Sequence, residues 1–247
     1  MPFAELHYNS FHVGKYMEAW AILPEVPGPW PVLYLLHGRS DDNTSWCRKT
    51  SIERYAEKWP QLMIVMPDSG RSFSCDGVNA PAYESGFVKD LVPFIDRSFP
   101  TRAEKAGRCI GGLSMGGYGA IKLALQHPDL FVSAHGHSGA YNWAHGWRDE
   151  DKEAQLILGD FVEGGGPNDC YRLADEVKNP PALRIDCGVE DFILDHSRDF
   201  HAYLDKIGLP HEYAEFPMGH GWDYWDIHIQ DALEFHARHL GIPARTS

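Results

Sequence analysis

One serine in this 247-residue chain has the setting of a nucleophile. Ser114 lies in RCIGGLSMGGYGAIKLALQHP (Arg108–Pro128), with five glycines close around it, and GLSMG fits the pattern G-x-S-x-G. The five-residue match is common by itself; its context gives it meaning. A short apolar run, RCI, precedes it, and YGAIKLALQ follows with apolar residues at helical spacing before Pro128. A strand, a sharp turn and a helix are what a serine needs to stand clear of a sheet edge. Gly112 and Gly116 remove Cβ atoms that would collide across such a turn, and Gly117 and Gly119 let the helix pack closely on the sheet. The other reading is a glycine-rich turn whose serine only caps a helix.

A serine hydroxyl is a weak nucleophile at neutral pH and needs a base, usually histidine, oriented by a carboxylate. Of 14 histidines, His220 in FPMGHGWDYW alone lies between the last predicted strand and the last helix, with a glycine on each side to free its backbone. His228, His236 and His239 are expected on a solvated helix face. His135 and His137 either border the site or pack beneath it, and no carboxylate cluster completes a metal site around them. His37 is expected to shape a turn. For the carboxylate, RIDCGVEDFILDHSRDF offers Asp186, Glu190, Asp191, Asp195 and Asp199. Asp186 falls within a strand, while Asp195 and Asp199 begin or lie on a helix. Asp191 is best placed on the loop between, with Glu190 its close rival. Two backbone N–H groups should face the developing oxyanion. Met115, after the nucleophile, and Arg39, after LYLLHG, are the candidates; the Arg39 side chain could instead steer an anionic acyl group or simply lie on the surface. Trp46, Tyr118, Trp143 and Trp222 could line a substrate pocket or serve as packing.

These residues need a scaffold that presents several strand ends together. Solid apolar runs recur at Val32–Gly38, Leu62–Asp68, Arg108–Leu113, Phe131–Gly139, Ala182–Gly188 and His211–Pro217. Runs apolar throughout suggest strands buried on both faces, hence a mostly parallel sheet. Tyr16–Leu23 alternates and predicts an antiparallel edge. Helical patterns lie between, at Tyr83–Phe99, Gly116–His127, Asp195–Ile207 and Tyr224–His239. The alternation predicts one three-layer α/β domain over residues 1–247. Tyr141–Pro180, charged and glycine-rich at EGGGPND, reads as a rim insertion beside the site.

Composition narrows the partners. The formal net charge is -13, which disfavours nucleic acid and anionic membranes. Apolar runs are too short to cross a bilayer. Five cysteines without CxxC spacing suit reduced thiols. The N-terminus lacks a signal-peptide pattern, so a cytoplasmic protein is expected, although a mature secreted form would look the same. No cofactor or metal is implied. The oligomeric state is left open, a homo-oligomer included.

Four stretches in order, LYLLHGRSDDNTSW, GLSMGGYGAIKLAL, DCGVEDFILDHSRDF and MGHGWDYW, resemble the esterase D-type branch of the α/β-hydrolases. That branch includes short-chain esterases, S-formylglutathione hydrolases, feruloyl and acetylxylan esterases, and mycolyltransferases. The resemblance covers roughly Leu6 to Leu240. It implies Ser114 as nucleophile, His220 as base and Asp191 as acid, the G-x-x-D in GVED favouring Asp191 over Glu190. It implies Arg39 and Met115 as oxyanion donors. HGRSDDNTSW departs from the cysteine-containing SGLTC-like stretch usual in S-formylglutathione hydrolases. The form looks more like the short-chain and carbohydrate esterase branches. The expectation is a serine carboxylesterase for short-acyl or aromatic acyl esters, on small molecules or carbohydrate. The alternatives are thioester hydrolysis, acyl transfer to an alcohol, and a non-catalytic binding module on the same scaffold, which the complete Ser, Asp and His set argues against.

Overall fold

A computed structural model describes residues 1–146, 151–160, 162 and 166–245. Its strands are β1 (Phe3–Ser10), β2 (Lys15–Ile22), β3 (Val32–Leu36), β4 (Met63–Pro67), β5 (Arg108–Leu113), β6 (Ser133–His137), β7 (Ala182–Gly188) and β8 (His211–Phe216). They form an eight-stranded sheet in the order β1-β2-β4-β3-β5-β6-β7-β8. From β4 to β8 neighbours run parallel, whereas β1 with β2 and β2 with β4 are antiparallel. The predicted edge strand is therefore second from the edge. The edge itself is β1, whose half-exposed residues give no solid apolar run.

The helices are α1 (Ser45–Lys49), α2 (Ile52–Ala56), α3 (Tyr83–Ser85), α4 (Val92–Ser98), α5 (Met115–Gln126), α6 (Lys152–Leu158), α7 (Cys170–Glu176), α8 (Leu194–Ile207) and α9 (Trp222–Leu240). Between α3 and α4 the chain winds as a π turn over Gly86–Leu91. Pro93 follows within the first turn of α4 and has no N–H to continue a regular ladder.

Alternation along β3 shows why its run is apolar throughout. Val32, Tyr34 and Leu36 join a core with Tyr118, Ile121, Phe200 and Leu204 of α5 and α8. Leu33 and Leu35 join the opposite core with Trp46, Ile52 and residues Tyr224 to Leu240 of α1, α2 and α9. Helices thus cover both faces of a mostly parallel sheet, the three-layer arrangement expected from the sequence. Within the predicted rim insertion, α6 and α7 carry the described helical parts. Residues 163–165 of EGGGPND lie outside the described residues.

Helix α5 is anchored by a buried cation. The Lys122 ammonium donates to Glu84 Oε2 (2.6 Å), to the Ser74 carbonyl (2.7 Å) and to Asn168 Oδ1 (3.2 Å). His127 Nε2 lies 3.0 Å from the other Glu84 oxygen. Burial pushes the Glu84 carboxyl up, but the hydrogen bond from His127 and the charge and hydrogen bond of Lys122 outweigh it and hold it at about 2. A carboxyl depressed in the folded state contributes stability above its unfolded value of about 4.5 and loses it as pH falls toward 2. Glu84→Gln is expected to remove about 2–3 kcal/mol at neutral pH and to flatten the acid limb of a melting-temperature profile between pH 4.5 and 2. An unchanged limb would mean that Glu84 is not the group titrating there.

Candidate active site

The parallel strands deliver their C-terminal ends to one edge, and the candidate residues sit on the loops there. Ser114 joins β5 to α5 with φ 54° and ψ -116°. A positive φ at a non-glycine residue is strained. The surroundings hold it in place: its N–H donates to the His137 carbonyl (2.8 Å), and its carbonyl accepts from Tyr118 N–H (3.0 Å). The neighbouring glycines make the turn sterically feasible. A Cβ on Gly112 would lie 2.6 Å from the Gly116 backbone, and one on Gly116 would lie 2.5 Å from the His37 carbonyl oxygen.

His220 Nε2 is 3.0 Å from Ser114 Oγ, and its Nδ1 is 2.8 Å from Asp191 Oδ2 and 3.0 Å from Oδ1. Asp191 Oδ1 also accepts the Ile193 N–H at 2.9 Å. The Asp191 side chain is 0% exposed and that of His220 14%, so little water competes for the histidine–carboxylate bond. Burial pushes the Asp191 carboxyl up, but hydrogen bonds from His220 and the Ile193 N–H, with the charge of His220, outweigh it and leave it below the ordinary value. A carboxylate ionised in this position fixes a proton on Nδ1 and leaves the Nε2 lone pair facing the hydroxyl. That arrangement can remove the serine proton during attack on a carbonyl carbon. Glu190, the rival carboxylate, is exposed, and its N–H serves the loop by donating to the Met218 carbonyl (3.0 Å).

The loop carrying His220 differs from expectation in one respect. Neither flanking glycine adopts a positive φ; the left-handed residue is Met218, at φ 91°. The missing Cβ of Gly188 makes room for the Met218 carbonyl. Glycine on the neighbouring strand, not beside the histidine, permits the unusual turn.

Above Ser114, a Cβ on Gly38 would come 3.8 Å from the Ser114 Cβ, so the loop after β3 closes over the serine. His37 shapes this loop. Its Nδ1–H donates to the Gly38 carbonyl (2.7 Å), and its Nε2 accepts the Ser69 N–H (2.9 Å). Met115 begins α5, so its N–H belongs to the first-turn donors that have no acceptor within the helix. The Arg39 guanidinium forms an ion pair with Glu153 of α6 at 2.5 Å, and Glu153 also accepts from Arg71 (2.7 Å). This surface partnership, and not a free cation, occupies the Arg39 side chain.

Two of the four aromatic candidates prove to be core residues. Trp46 is 1% exposed and donates to the Leu36 carbonyl (3.0 Å). Tyr118 is fully buried and donates to the Asn168 carbonyl (2.6 Å). Their side chains face inward because α1 and the first turn of α5 lie directly on the sheet. Trp143 is half-buried and stacked on Phe73 at 3.7 Å. Trp222 is half-buried, edge-on to Trp46 and Trp225 at 5.3 Å, with the Lys49 ammonium 5.3 Å from its ring centre.

Sequence reasoning missed Phe192, 80% exposed, whose ring centre lies 4.6 Å from that of His220. It also missed Trp225, edge-on to His220 at 5.1 Å, whose indole donates to Ser138 Oγ (3.4 Å). Adjacency of Phe192 to Asp191 was the available signal.

The helix-borne histidines need a second correction. His236 is fully buried, with Nδ1 2.8 Å from Ser133 Oγ and Nε2 2.7 Å from His135 Nδ1. Burial holds it at about 3. His228 is also buried, stacked on Phe216 at 4.0 Å; of the three, only His239 is exposed. His135 and His137 pack beneath the site. His137 meets the buried Asp186 carboxylate at 2.6 Å, which also accepts from Tyr224 OH (2.8 Å). All five cysteines are free thiols.

The sheet order, the serine at a strand-to-helix turn and helices on both faces define an α/β-hydrolase. Residues 10–236 match the Esterase family, and the chain belongs to that family as a carboxylic ester hydrolase. It is 27% identical over 220 residues to the acetyl esterase of Caldicellulosiruptor saccharolyticus, covering 82% of each chain. Among solved structures it resembles fluorophosphonate-binding serine hydrolase F of Staphylococcus aureus, with TM-score 0.86 and 32% identity over 95% of this chain and 98% of that one. It resembles the S-formylglutathione hydrolase of the same organism with TM-score 0.83 and 32% identity, over 96% and 99% of the two chains. Among the described residues no helix is long and apolar enough to cross a membrane.

Proposed function

We propose that the chain is a serine carboxylesterase for short-acyl esters, acetyl above all, in which Ser114, His220 and Asp191 form the catalytic triad. The observation that carries this reading is the unbroken chain from Ser114 Oγ to His220 Nε2 (3.0 Å) and from His220 Nδ1 to Asp191 (2.8 Å). His220 takes the serine proton as Oγ bonds to the ester carbonyl carbon. The resulting imidazolium stays paired with Asp191. The oxyanion is received by the N–H groups of Met115 and Arg39. Collapse expels the alcohol, protonated by His220, and leaves an acyl-serine. A water then attacks, giving up its proton to His220, and the acid departs as Ser114 regains its hydrogen.

Phe192, Met218 and Trp222 supply apolar surface beside His220 for the acyl or alcohol group, with Trp143 a further candidate on the loop after β6. The acetyl preference rests on the acetyl esterase relative; an ester on carbohydrate is the proposed natural substrate, as the resemblance to carbohydrate esterases implies. Thioester cleavage is a second reading, favoured by the 32% identity to an S-formylglutathione hydrolase. Glutathione is anionic, and a formal net charge of -13 opposes its approach, so the neutral ester ranks first. A panel of p-nitrophenyl esters of rising length, methyl ferulate, acetylated xylan and S-formylglutathione separates these readings. The highest kcat/KM is expected for acetyl esters. A maximum on S-formylglutathione would transfer the assignment to the thioester, and ester formation with an added alcohol would show acyl transfer.

A further inference from the structure

At the sheet edge opposite the active site, three side chains converge in a way the esterase chemistry does not use. His201 and Asp205 stand one turn apart on α8, and His211 opens β8. One ligand atom from each lies within 4.8 Å of the other two. His211 Nε2 is 2.7 Å from His201 Nδ1 and 4.0 Å from Asp205 Oδ1, while His201 Nε2 is 3.6 Å from Asp205 Oδ2.

The two imidazoles share one hydrogen bond, in which His201 Nδ1–H donates to His211 Nε2 at 2.7 Å. His211 Nδ1 faces the Leu209 carbonyl at 2.9 Å and must donate to it, so its Nε2 carries a lone pair. That lone pair points at the second imidazole, with a carboxylate alongside. Exchange of the shared proton for a cation would give the two facing nitrogens and the carboxylate one common partner. Both rings are held in place: the His211 side chain is 2% exposed, and His201 stacks on Tyr213 at 4.0 Å with an interplanar angle of 7°. A histidine whose other nitrogen donates to a backbone carbonyl is the usual bearing of a metal ligand.

The geometry points to a binding site for a late first-row divalent ion, zinc foremost, formed by His201, Asp205 and His211 with solvent in the fourth position. Tetrahedral zinc holds nitrogen ligands at about 2.0–2.1 Å and so roughly 3.3 Å apart. The two nearest nitrogens need to separate by only about 0.6 Å to meet that spacing. His211 pairs with Leu183 at the start of β7, and Phe216 pairs with Gly188 at its end, near Asp191. The ion therefore lies about 16 Å along β8 from the strand end that carries the histidine loop. It ties the last turns of α8 to β8 and acts on stability, not on the reaction.

The test is calorimetric titration of the chelator-treated full chain with zinc alone, paired with thermal unfolding and acetyl-ester hydrolysis. One zinc per chain is expected to bind at micromolar concentration, to raise the melting temperature and to leave kcat/KM unchanged. His201→Gln, at a half-buried position, and Asp205→Asn, at an exposed one, are expected to weaken binding about 10–100-fold and abolish the thermal shift. His220→Ala is expected to bind zinc as the unaltered chain does, which separates this site from the catalytic histidine. No zinc uptake at micromolar concentration, or the same affinity in His201→Gln, would overturn the assignment.

Discussion

Ser114→Ala is expected to lower kcat for p-nitrophenyl acetate by about 10⁴-fold or more, with the fold intact. The hydroxyl oxygen is the only heavy atom lost. The His137 and Tyr118 backbone bonds that hold residue 114 at φ 54° are made by main-chain atoms, so alanine inherits the same turn. His220 keeps Asp191 but loses the oxygen 3.0 Å from its Nε2, and no nucleophile remains to form an acyl-enzyme. Residual turnover then reflects binding and the oxyanion donors acting on water. Circular dichroism and melting temperature should match the unaltered chain within small error. Hydrolysis reduced by less than tenfold would remove Ser114 from the mechanism.

Asp191→Asn is expected to reduce kcat by about 10⁴-fold, with little change in KM. An amide placed against His220 can present its NH₂ to Nδ1, which favours the tautomer with hydrogen on Nε2. That tautomer cannot accept the serine proton. The carbonyl oxygen of the new amide would still accept the Ile193 N–H, now bonded to Asp191 Oδ1 at 2.9 Å, so the loop retains its shape. Glu190→Gln, one residue away and exposed, is expected to leave kcat within a few-fold. Equal losses in the two variants, or a larger loss at Glu190, would reassign the acid.

The contrast between these neighbours shows what a sequence can and cannot convey. The apolar blocks of β3, β4 and β5 were readable because a strand buried on both faces must be apolar throughout; β7 carries Arg184 and Asp186, and β8 is a half-exposed edge strand rather than a doubly buried one. The loops carrying Ser114, Asp191 and His220 follow from those strands. Register by one residue, Glu190 against Asp191, was not readable from spacing, since both lie on the same loop; the G-x-x-D of the family resemblance favoured Asp191, and its hydrogen bonds to His220 support that choice. Burial of aromatic and polar residues was also hidden. Trp46 and Tyr118 look equally suited to a pocket or a core until α1 and α5 are laid on the sheet. His236 appears as one more polar residue on an amphipathic helix. It is buried because Ser133 and His135 of β6 offer it hydrogen-bond partners. The β1 edge was missed because only one of its faces, with Ala4, Leu6 and Tyr8, is mainly apolar, while the exposed face carries Phe3, Glu5, His7 and Asn9, so no continuous apolar run marks it. The turn at Met218 was missed because its positive φ depends on a glycine thirty residues earlier, at position 188.

The central claim, that Ser114 is the one activated nucleophile, is tested most directly by intact mass and peptide mapping after treatment with a fluorophosphonate. The expected result is one adduct per chain on the peptide containing Ser114, absent from Ser114→Ala and strongly slowed in His220→Ala. An adduct on another residue, or labelling that persists in Ser114→Ala, would contradict it.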